Sequence, residues 1–391
     1  MDNFAERISK IKPSPTLAVT IKAKKLKSEG KDVVNFAAGE PDFDTPDFIK
    51  EKAIEAIKSG FTKYTPSSGT LELKRLISQK FKTDNNLEYP DSQIVVSCGA
   101  KHSIFNILLA LINKGDEVVI PVPFWVSYPE MVNLCEGKVR FLQTKAENDF
   151  KLNVRDLKNS ITAKTKLLIL NSPSNPCGSV YSAEELKSVA EICVSKNILV
   201  LSDEIYESLI YDGLKHISIA ALNKDIYNLT VTVNGVSKAY SMTGWRIGYL
   251  GGPAGIVNVV SSIQDHSTSN PCSISQRAAM AALFAGSDFT KQMCAEFEKR
   301  RNYVLSRLDK IKNISYVRPR GAFYIFCDIS KCGMGSLEFA TRLLDEALVA
   351  VIPGIGFGSD NYVRISFAAG LPQIEKGMDR IEERVNKWAR R

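Results

Sequence analysis

The stretch Asn234-Gly235-Val236-Ser237-Lys238-Ala239-Tyr240-Ser241-Met242-Thr243-Gly244-Trp245-Arg246-Ile247-Gly248 decides how this chain is read. An apolar β-type run, Leu229 to Val233, leads into it, and a second, Ile247 to Leu250, follows. A lysine and an arginine are therefore held on a loop between two expected core strands. On a surface such a pair is an ordinary solvated turn. The surroundings point elsewhere. Gly235, Gly244 and Gly248 permit close backbone approach. Ser237 sets a hydroxyl beside Lys238, and Arg246 offers a planar fork suited to a phosphate. A reactive amine inside a phosphate cradle fits covalent attachment of pyridoxal 5'-phosphate (PLP). The Lys238 amine would condense with the aldehyde while Ser237 and Arg246 hold the phosphate.

The segment S-K-A-Y-S-M-T-G-W-R-I-G resembles the lysine signature of the class I PLP-dependent aminotransferases, with Ser, Lys, Gly, Arg and Gly at the family's spacing. Further matching motifs run from near residue 13 to near residue 370, nearly the whole chain. The resemblance is nearest to the prokaryotic aspartate aminotransferase branch. It implies an α/β fold, the PLP-dependent transferase fold type I. A large domain would hold a mostly parallel central sheet, beside a smaller α+β domain. After residue 287 the β–α alternation gives way to short strands and two helices, which sets a boundary there. The expected organisation is an N-terminal arm and part of the small domain over 1–45, the large PLP-binding domain over 46–287, and the rest of the small domain over 288–391.

Composition narrows the classes. With 391 residues, 44% of them hydrophobic, the chain can bury a large core or two. No apolar run reaches membrane-spanning length, and Met1 to Arg7 lacks the apolar centre of a signal peptide. A cytoplasmic protein without a membrane partner is expected. The eight cysteines form no C-x-x-C pair, so buried free thiols are expected rather than a zinc or redox site. His102, His216 and His266 lie far apart, and no metal is expected. Net charge is +8, with lysines clustered at 22, 24, 25, 27 and 31. They lack the aromatic interleaving of a nucleic-acid surface and read as a solvated helix face.

Outward from the lysine, several motifs have a plain reading and a functional one. Gly39-Glu40-Pro41-Asp42-Phe43 is a turn by composition; the resemblance implies that the Gly39 backbone approaches the substrate carboxylate. Tyr64 could be a buried structural tyrosine. The resemblance implies instead that it reaches the cofactor phosphate of a neighbouring subunit, which requires a homodimer with shared active sites. Ser97-Cys98-Gly99-Ala100-Lys101 opens a helix, where free N–H groups of Gly99, Ala100 and Lys101 form an anion seat. The family more often has glycine at the position of Ala100. Trp125, in Pro123-Phe124-Trp125-Val126-Ser127-Tyr128, is a core aromatic or, by the resemblance, a lid stacked on the cofactor ring.

Asn171-Ser172-Pro173-Ser174-Asn175-Pro176-Cys177-Gly178 matches a family motif that brings Asn175 to the phenolic oxygen of the cofactor; Cys177 replaces the usual threonine. Asp203 ends the apolar run Ile198 to Ser202. Alone it reads as a turn or helix cap. In the family it faces the pyridine nitrogen and keeps the ring protonated, the better electron sink. Tyr206 would join Asn175. Gly354-Ile355-Gly356-Phe357-Gly358 does not complete a dinucleotide fingerprint and fits a substrate-edge loop. Arg364 sits inside the apolar strand Tyr362 to Ser366 and requires a partner, either an internal carboxylate or the substrate's α-carboxylate.

The resemblance thus implies transamination between an acidic amino acid, aspartate or glutamate, and a 2-oxo acid, oxaloacetate or 2-oxoglutarate. Lys238, Asp203 and Tyr206 would be catalytic. Burial and Arg246 should lower the Lys238 pKa so that it can act as a base. Gly39, Lys101, Trp125, Asn175 and Arg364 would meet the substrate. Lys101 could read a distal carboxylate or only support the phosphate. An aspartate/glutamate–prephenate or aromatic aminotransferase, a β-lyase of the same fold, and a non-catalytic PLP-sensing regulator are the alternatives. The N-terminal segment has no DNA-binding pattern for the last.

Overall fold

Long apolar runs spaced by amphipathic segments build a sheet buried on both faces. A computed structural model of the chain describes residues 5, 7–8 and 15–388, and only the backbone of 15–18. The start of the N-terminal arm expected within 1–45, residues 1–4, 6 and 9–14, lies outside the described residues. In chain order the strands are β1 (Val34–Asn35), β2 (Ile94–Ser97), β3 (Glu117–Val122), β4 (Lys138–Gln143), β5 (Thr165–Asn171), β6 (Leu199–Asp203), β7 (Thr230–Gly235) and β8 (Gly248–Gly251). They continue with β9 (Ser315–Tyr316), β10 (Tyr324–Asp328), β11 (Val349–Ala350), β12 (Ile352–Pro353) and β13 (Tyr362–Ser366).

Seven strands form the main sheet in the order β2-β8-β7-β6-β5-β3-β4. Every pairing is parallel except the two made by β8, which runs against β2 and β7. The expected α/β fold with a mostly parallel sheet is what the chain adopts. Register places Asn171 beside Asp203 and Asp203 beside Val233, so β5 and β6 end together and β7 runs two residues further. Ligands of open α/β sheets bind beyond such carboxyl ends. No described helix is long and apolar enough to cross a membrane.

A second sheet, antiparallel, has the order β12-β13-β10-β9, while β1 pairs with β11 in parallel. Val34 and Phe36 share one core with Phe323, Ile325 and Val363, so residues more than 280 positions apart in sequence pack together. The helix Leu371–Trp388 closes this core with Ile374, Met378, Ile381 and Val385, spaced to fall on one face. Its Gly377 sits against Phe36, where a Cβ would collide with the ring.

The structure departs from the sequence expectations in places. Helices at Asp47–Lys58 and Ala254–Asp265 carry no strong cap signal in sequence, since Pro46 and Pro253 precede them without any side-chain cap, whereas Leu71–Asn85 is capped by Thr70. Gln264–Pro271 reads as a polar segment reaching toward a partner. Its first residue, Gln264, is a fully buried helix residue, while Asp265 to Thr268 stand exposed. The Gln264 amide bonds Ser97 Oγ (2.8 Å), Val96 O (2.7 Å) and Ser67 O (2.6 Å). It thereby pins the start of the anion-seat turn.

Candidate active site

The lysine is on a short helix rather than a loop. β7 ends at Gly235, and Val236–Ala239 makes one helical turn carrying Ser237 and Lys238. The chain then passes through a 3₁₀ turn, Thr243–Trp245, to Arg246. Arg246 holds φ at +57°, a left-handed conformation that costs a non-glycine residue energy and is concentrated at functional sites. Among the described residues its guanidinium donates only to carbonyls, Thr243 O at 2.9 Å and Cys98 O at 3.4 Å. Its charge thus stays available to an anion.

The lysine segment and the anion-seat turn fit each other closely. Gly99, with φ +90°, precedes the helix Ala100–Leu111, and a Cβ on it would run into the Arg246 guanidinium. A Cβ on Gly248 would overlap the Ala100 nitrogen, and one on Gly235 would lie 3.0 Å from the Gly248 Cα. Those two glycines do serve close approach. Gly244 does not: nothing lies within 4 Å of the position its Cβ would take.

These elements enclose a cavity of about 380 Å³, in the range that small-molecule sites occupy. Ala100, Lys101, Ser237 and Arg246 line one part of it. Trp125, Asp203, Tyr206 and Lys238 line another, and Gly39, Asn175 and Arg364 complete it. Gly99 borders the cavity through Arg246 without lining it. Tyr64 is not brought in; it stands 93% exposed on the surface.

Lys238 Nζ donates to Gly39 O at 2.5 Å. Burial, more than any neighbour, lowers its pKa to about 8; Glu40 opposes this, while Arg364 and Arg246 add to it. Asp203 is 4% exposed, and burial raises its carboxyl to about 6. Two donors work against that rise, the Tyr128 hydroxyl to Oδ2 (2.6 Å) and the Ile205 N–H to Oδ1 (3.3 Å). Arg364 donates through Nη1 to Asn175 Oδ1 (3.0 Å) and through Nη2 to Ala37 O (3.1 Å). Its buried Nε has no partner, and among the described residues no carboxylate pairs with it. The internal ion pair considered from sequence is therefore not formed.

The donor set fits PLP. A helix N-terminus, a hydroxyl and an uncompensated guanidinium suit its phosphate. A buried carboxylate suits a protonated ring nitrogen, and an amine with a lowered pKa suits the aldehyde.

Three residues were missed in sequence. Tyr128 lies in the Trp125 motif and could have been found there. Asn171 holds the turn that presents Asn175: its Nδ2 donates to Asp203 O (2.9 Å), and its Oδ1 accepts from the Asn175 N–H (2.8 Å). Tyr324, in an aromatic-rich strand, gives no signal beyond core. Elsewhere His216 comes together with Glu204 and Glu207, although the histidines are scattered in sequence. The Lys80 ammonium, Asn85 and Ser218 already pair with its carboxylates, while the buried His216 Nδ1 has no partner among the described residues.

The family pattern of aminotransferase class I and II matches residues 31–381. The chain belongs to this family. It is 47% identical to an aspartate aminotransferase of Bacillus sp. (strain YM-2), over 98% of this chain and 99% of that one. It is 48% identical to a probable aspartate/prephenate aminotransferase of Rickettsia conorii, over 99% of both. Its structure superposes on the crystal structure of the Rhizobium meliloti aspartate aminotransferase with a TM-score of 0.95 and 40% identity, covering 99% of each chain. A Thermus thermophilus aspartate aminotransferase solved with maleate gives 0.94 and 39%, covering 98% of this chain and 100% of that one. This aminotransferase, like its class, works with PLP and transfers an amino group between an amino acid and a 2-oxo acid.

Proposed function

We propose that the amino donor is aspartate or glutamate and the acceptor 2-oxoglutarate or oxaloacetate. One observation carries this. The cavity holds four cations without a carboxylate partner among the described residues, and once Lys238 and Arg246 are assigned to the cofactor two are left for substrate, Arg364 and Lys101. Arg364 suits the α-carboxylate. Lys101 Nζ, 4.9 Å from the Trp125 ring centroid, suits a second, distal one.

Bound in the cavity, PLP supplies the aldehyde that takes up the amino group and the electron sink that acidifies the α-hydrogen. The residues do the rest. The backbone N–H groups of Ala100 and Lys101, with Ser237 and Arg246, hold the phosphate, and Gly99 shapes the seat. Asp203 keeps a proton on the ring nitrogen, and Asn175 and Tyr206 hold the ring oxygen. Trp125 covers the ring face. Arg364, assisted by Asn175 and the Gly39 segment, fixes the α-carboxylate. Lys238 carries the cofactor and then moves the α-proton through Nζ; a pKa near 8 lets it both accept and return that proton near neutral pH.

The site would be completed by a second copy. Tyr64 stands exposed, and Ile54, Ile57 and Phe284 form apolar surface at 49%, 53% and 83% exposure. A homodimer would cover such surface and deliver Tyr64 to the partner's phosphate. The reading places the enzyme in the cytoplasm, with the domain division at 45/46 and 287/288.

Stopped-flow mixing of the loaded enzyme with aspartate, glutamate, alanine and phenylalanine tests the substrate reading. The acidic donors should bleach the visible band fastest, and oxaloacetate or 2-oxoglutarate should restore it. Equal rates for alanine would overturn the acidic preference, and bleaching that no 2-oxo acid reverses would favour a lyase. Prephenate belongs among the acceptors, given the name of the Rickettsia relative.

A further inference from the structure

We propose that Tyr324 is a positioning residue that links Arg364 to Tyr206, bracing the guanidinium with its ring and donating its hydroxyl proton to the Tyr206 oxygen. The proposal rests on the site roles given above.

The placement follows from strand register. In the β10–β13 pair Phe326 stands opposite Arg364 and Tyr324 opposite Ser366. Tyr324 is thus two residues from Arg364's partner, on the same face and diagonal to it, within reach of long side chains. It is fully buried and lines the cavity. Its ring centroid lies 4.2 Å from the Arg364 guanidinium carbon, and Phe357 adds a second ring at 5.3 Å. Asn175 and Ala37 already take one N–H from each terminal nitrogen. Rings and hydrogen bonds together leave the guanidinium one orientation in which to meet a carboxylate.

The other end of Tyr324 meets Tyr206. Their hydroxyl oxygens are 2.9 Å apart, and the rings stand edge to face at 5.7 Å. Each phenol has one proton, so one hydroxyl donates to the other. If Tyr324 donates, the Tyr206 proton is left to point at the cofactor's ring oxygen. Accepting a bond also makes Tyr206 the stronger donor. Arg364 acts on both phenols in the same sense, but it stacks on the Tyr324 ring at 4.2 Å and is the foremost influence against burial there, which favours this direction. Burial raises the Tyr324 phenol, but the adjacent guanidinium charge works against burial and makes Tyr324 more acidic than it would otherwise be. A carboxylate bound to Arg364 cancels part of that charge. The Tyr206 bond to the ring oxygen then weakens when substrate arrives, and the two ends of the site are coupled.

The test uses the loaded enzyme and two readouts, the pH titration of the bound cofactor's visible band and the binding of maleate. Tyr324→Phe keeps the ring and removes the hydroxyl. Loss of donation leaves more negative charge on the ring oxygen, which holds the proton on the Lys238-linked nitrogen. The titration midpoint should rise by about half a pH unit or more, with maleate affinity nearly unchanged. Tyr206→Phe should raise it too, and the double variant should match Tyr206→Phe alone. Tyr324→Leu removes the ring and should weaken maleate about tenfold, as loss of a desolvated cation–π contact predicts. It should raise KM for acidic and neutral donors alike, more than it lowers kcat.

A normal parent band with an unshifted Tyr324→Phe overturns the coupling. A downward shift means that Tyr206 donates to Tyr324 and overturns it as well, as do additive shifts in the double variant. Unchanged maleate binding in Tyr324→Leu overturns the bracing role. A parent enzyme that shows no band tied to Lys238 overturns the site reading itself, and this proposal with it.

Discussion

Tyr128 and Asp203, 75 residues apart, are joined by a 2.6 Å hydrogen bond in which the phenol donates to the carboxylate. Burial pushes the Asp203 carboxyl up to about 6, and this bond is the foremost of the two that restrain it. Tyr128 is itself fully enclosed, so its proton stays available. Removing the donor should let the Asp203 pKa rise toward or past neutrality. Tyr128→Phe should therefore bind PLP more weakly, by about 1.5–3 kcal/mol, the worth of a hydrogen bond to a charged group. The loss should shrink as pH is raised above 7 and Asp203 ionises again. Fluorescence titration of PLP across pH measures both.

Asp203→Asn separates function from stability. A neutral amide cannot hold the ring nitrogen's proton, so the half-reaction with glutamate should slow by orders of magnitude. In the cofactor-free chain the sign reverses. The folded-state pKa of Asp203 lies above its unfolded value of 3.8, so this group's stabilising contribution is full below pH 3.8 and is lost as pH rises through about 6. At pH 7 the ionised, buried carboxylate costs up to about 3 kcal/mol. The cofactor-free variant should thus be more stable than the parent at pH 7, with the advantage fading below pH 4. Paired denaturation curves at both pH values decide it.

Lys238 should announce itself by its acidity. In the cofactor-free chain a pKa of about 8 leaves far more free amine at pH 7.5 than any surface lysine has. An acylating reagent at limiting dose should modify Lys238 first, and its rate should fall as pH drops below 8. Borohydride reduction of the loaded enzyme should fix the cofactor on the same peptide. A label on another lysine would sink the assignment.

What could be read in the sequence, and what could not, follows the range of the interactions. The strand that ends at Asp203 and the strand around Arg364 were legible because hydrophobic period and punctuation are local. So was the cluster of Lys238, Asp203, Asn175 and Arg246, since each sits in a motif of fixed spacing. The helix Asp47–Lys58 was not, because its apolar face is partly exposed and its N-terminus has no side-chain cap. Tyr128 on Asp203 and Tyr324 on Arg364 are relations across strands and turns, which composition does not encode. The exposed position of Tyr64 belongs to the same class: its environment depends on what covers this face.

Gly99→Ala tests the anion seat. At φ +90° an L side chain is strained, by about 1–2 kcal/mol, and here the new methyl would also displace the Arg246 guanidinium. PLP affinity should fall, and inorganic phosphate should compete less well for the cofactor-free site. Gly244→Ala, with open space around it, should leave both unchanged. Isothermal titration with PLP and with phosphate reads the contrast.

Lys101 decides between two uses of one charge. Its ammonium lies in the cavity near Trp125, and burial first, then Arg246, lowers its pKa. Arg246 already serves the phosphate end, so a second cation there would be repelled; a distal carboxylate would relieve that repulsion. An ammonium makes fewer geometric demands than an arginine fork, which would let the site take both four- and five-carbon diacids. Lys101→Ala should therefore raise KM for aspartate and glutamate by an amount equivalent to about 1.5–3 kcal/mol, a charged hydrogen bond. Alanine and phenylalanine should lose much less, and PLP affinity should change little. Steady-state kinetics with the four donors, alongside PLP titration, separates the cases. Equal losses for acidic and neutral donors, together with weaker PLP binding, would assign Lys101 to the phosphate and leave the preference for diacids to other residues.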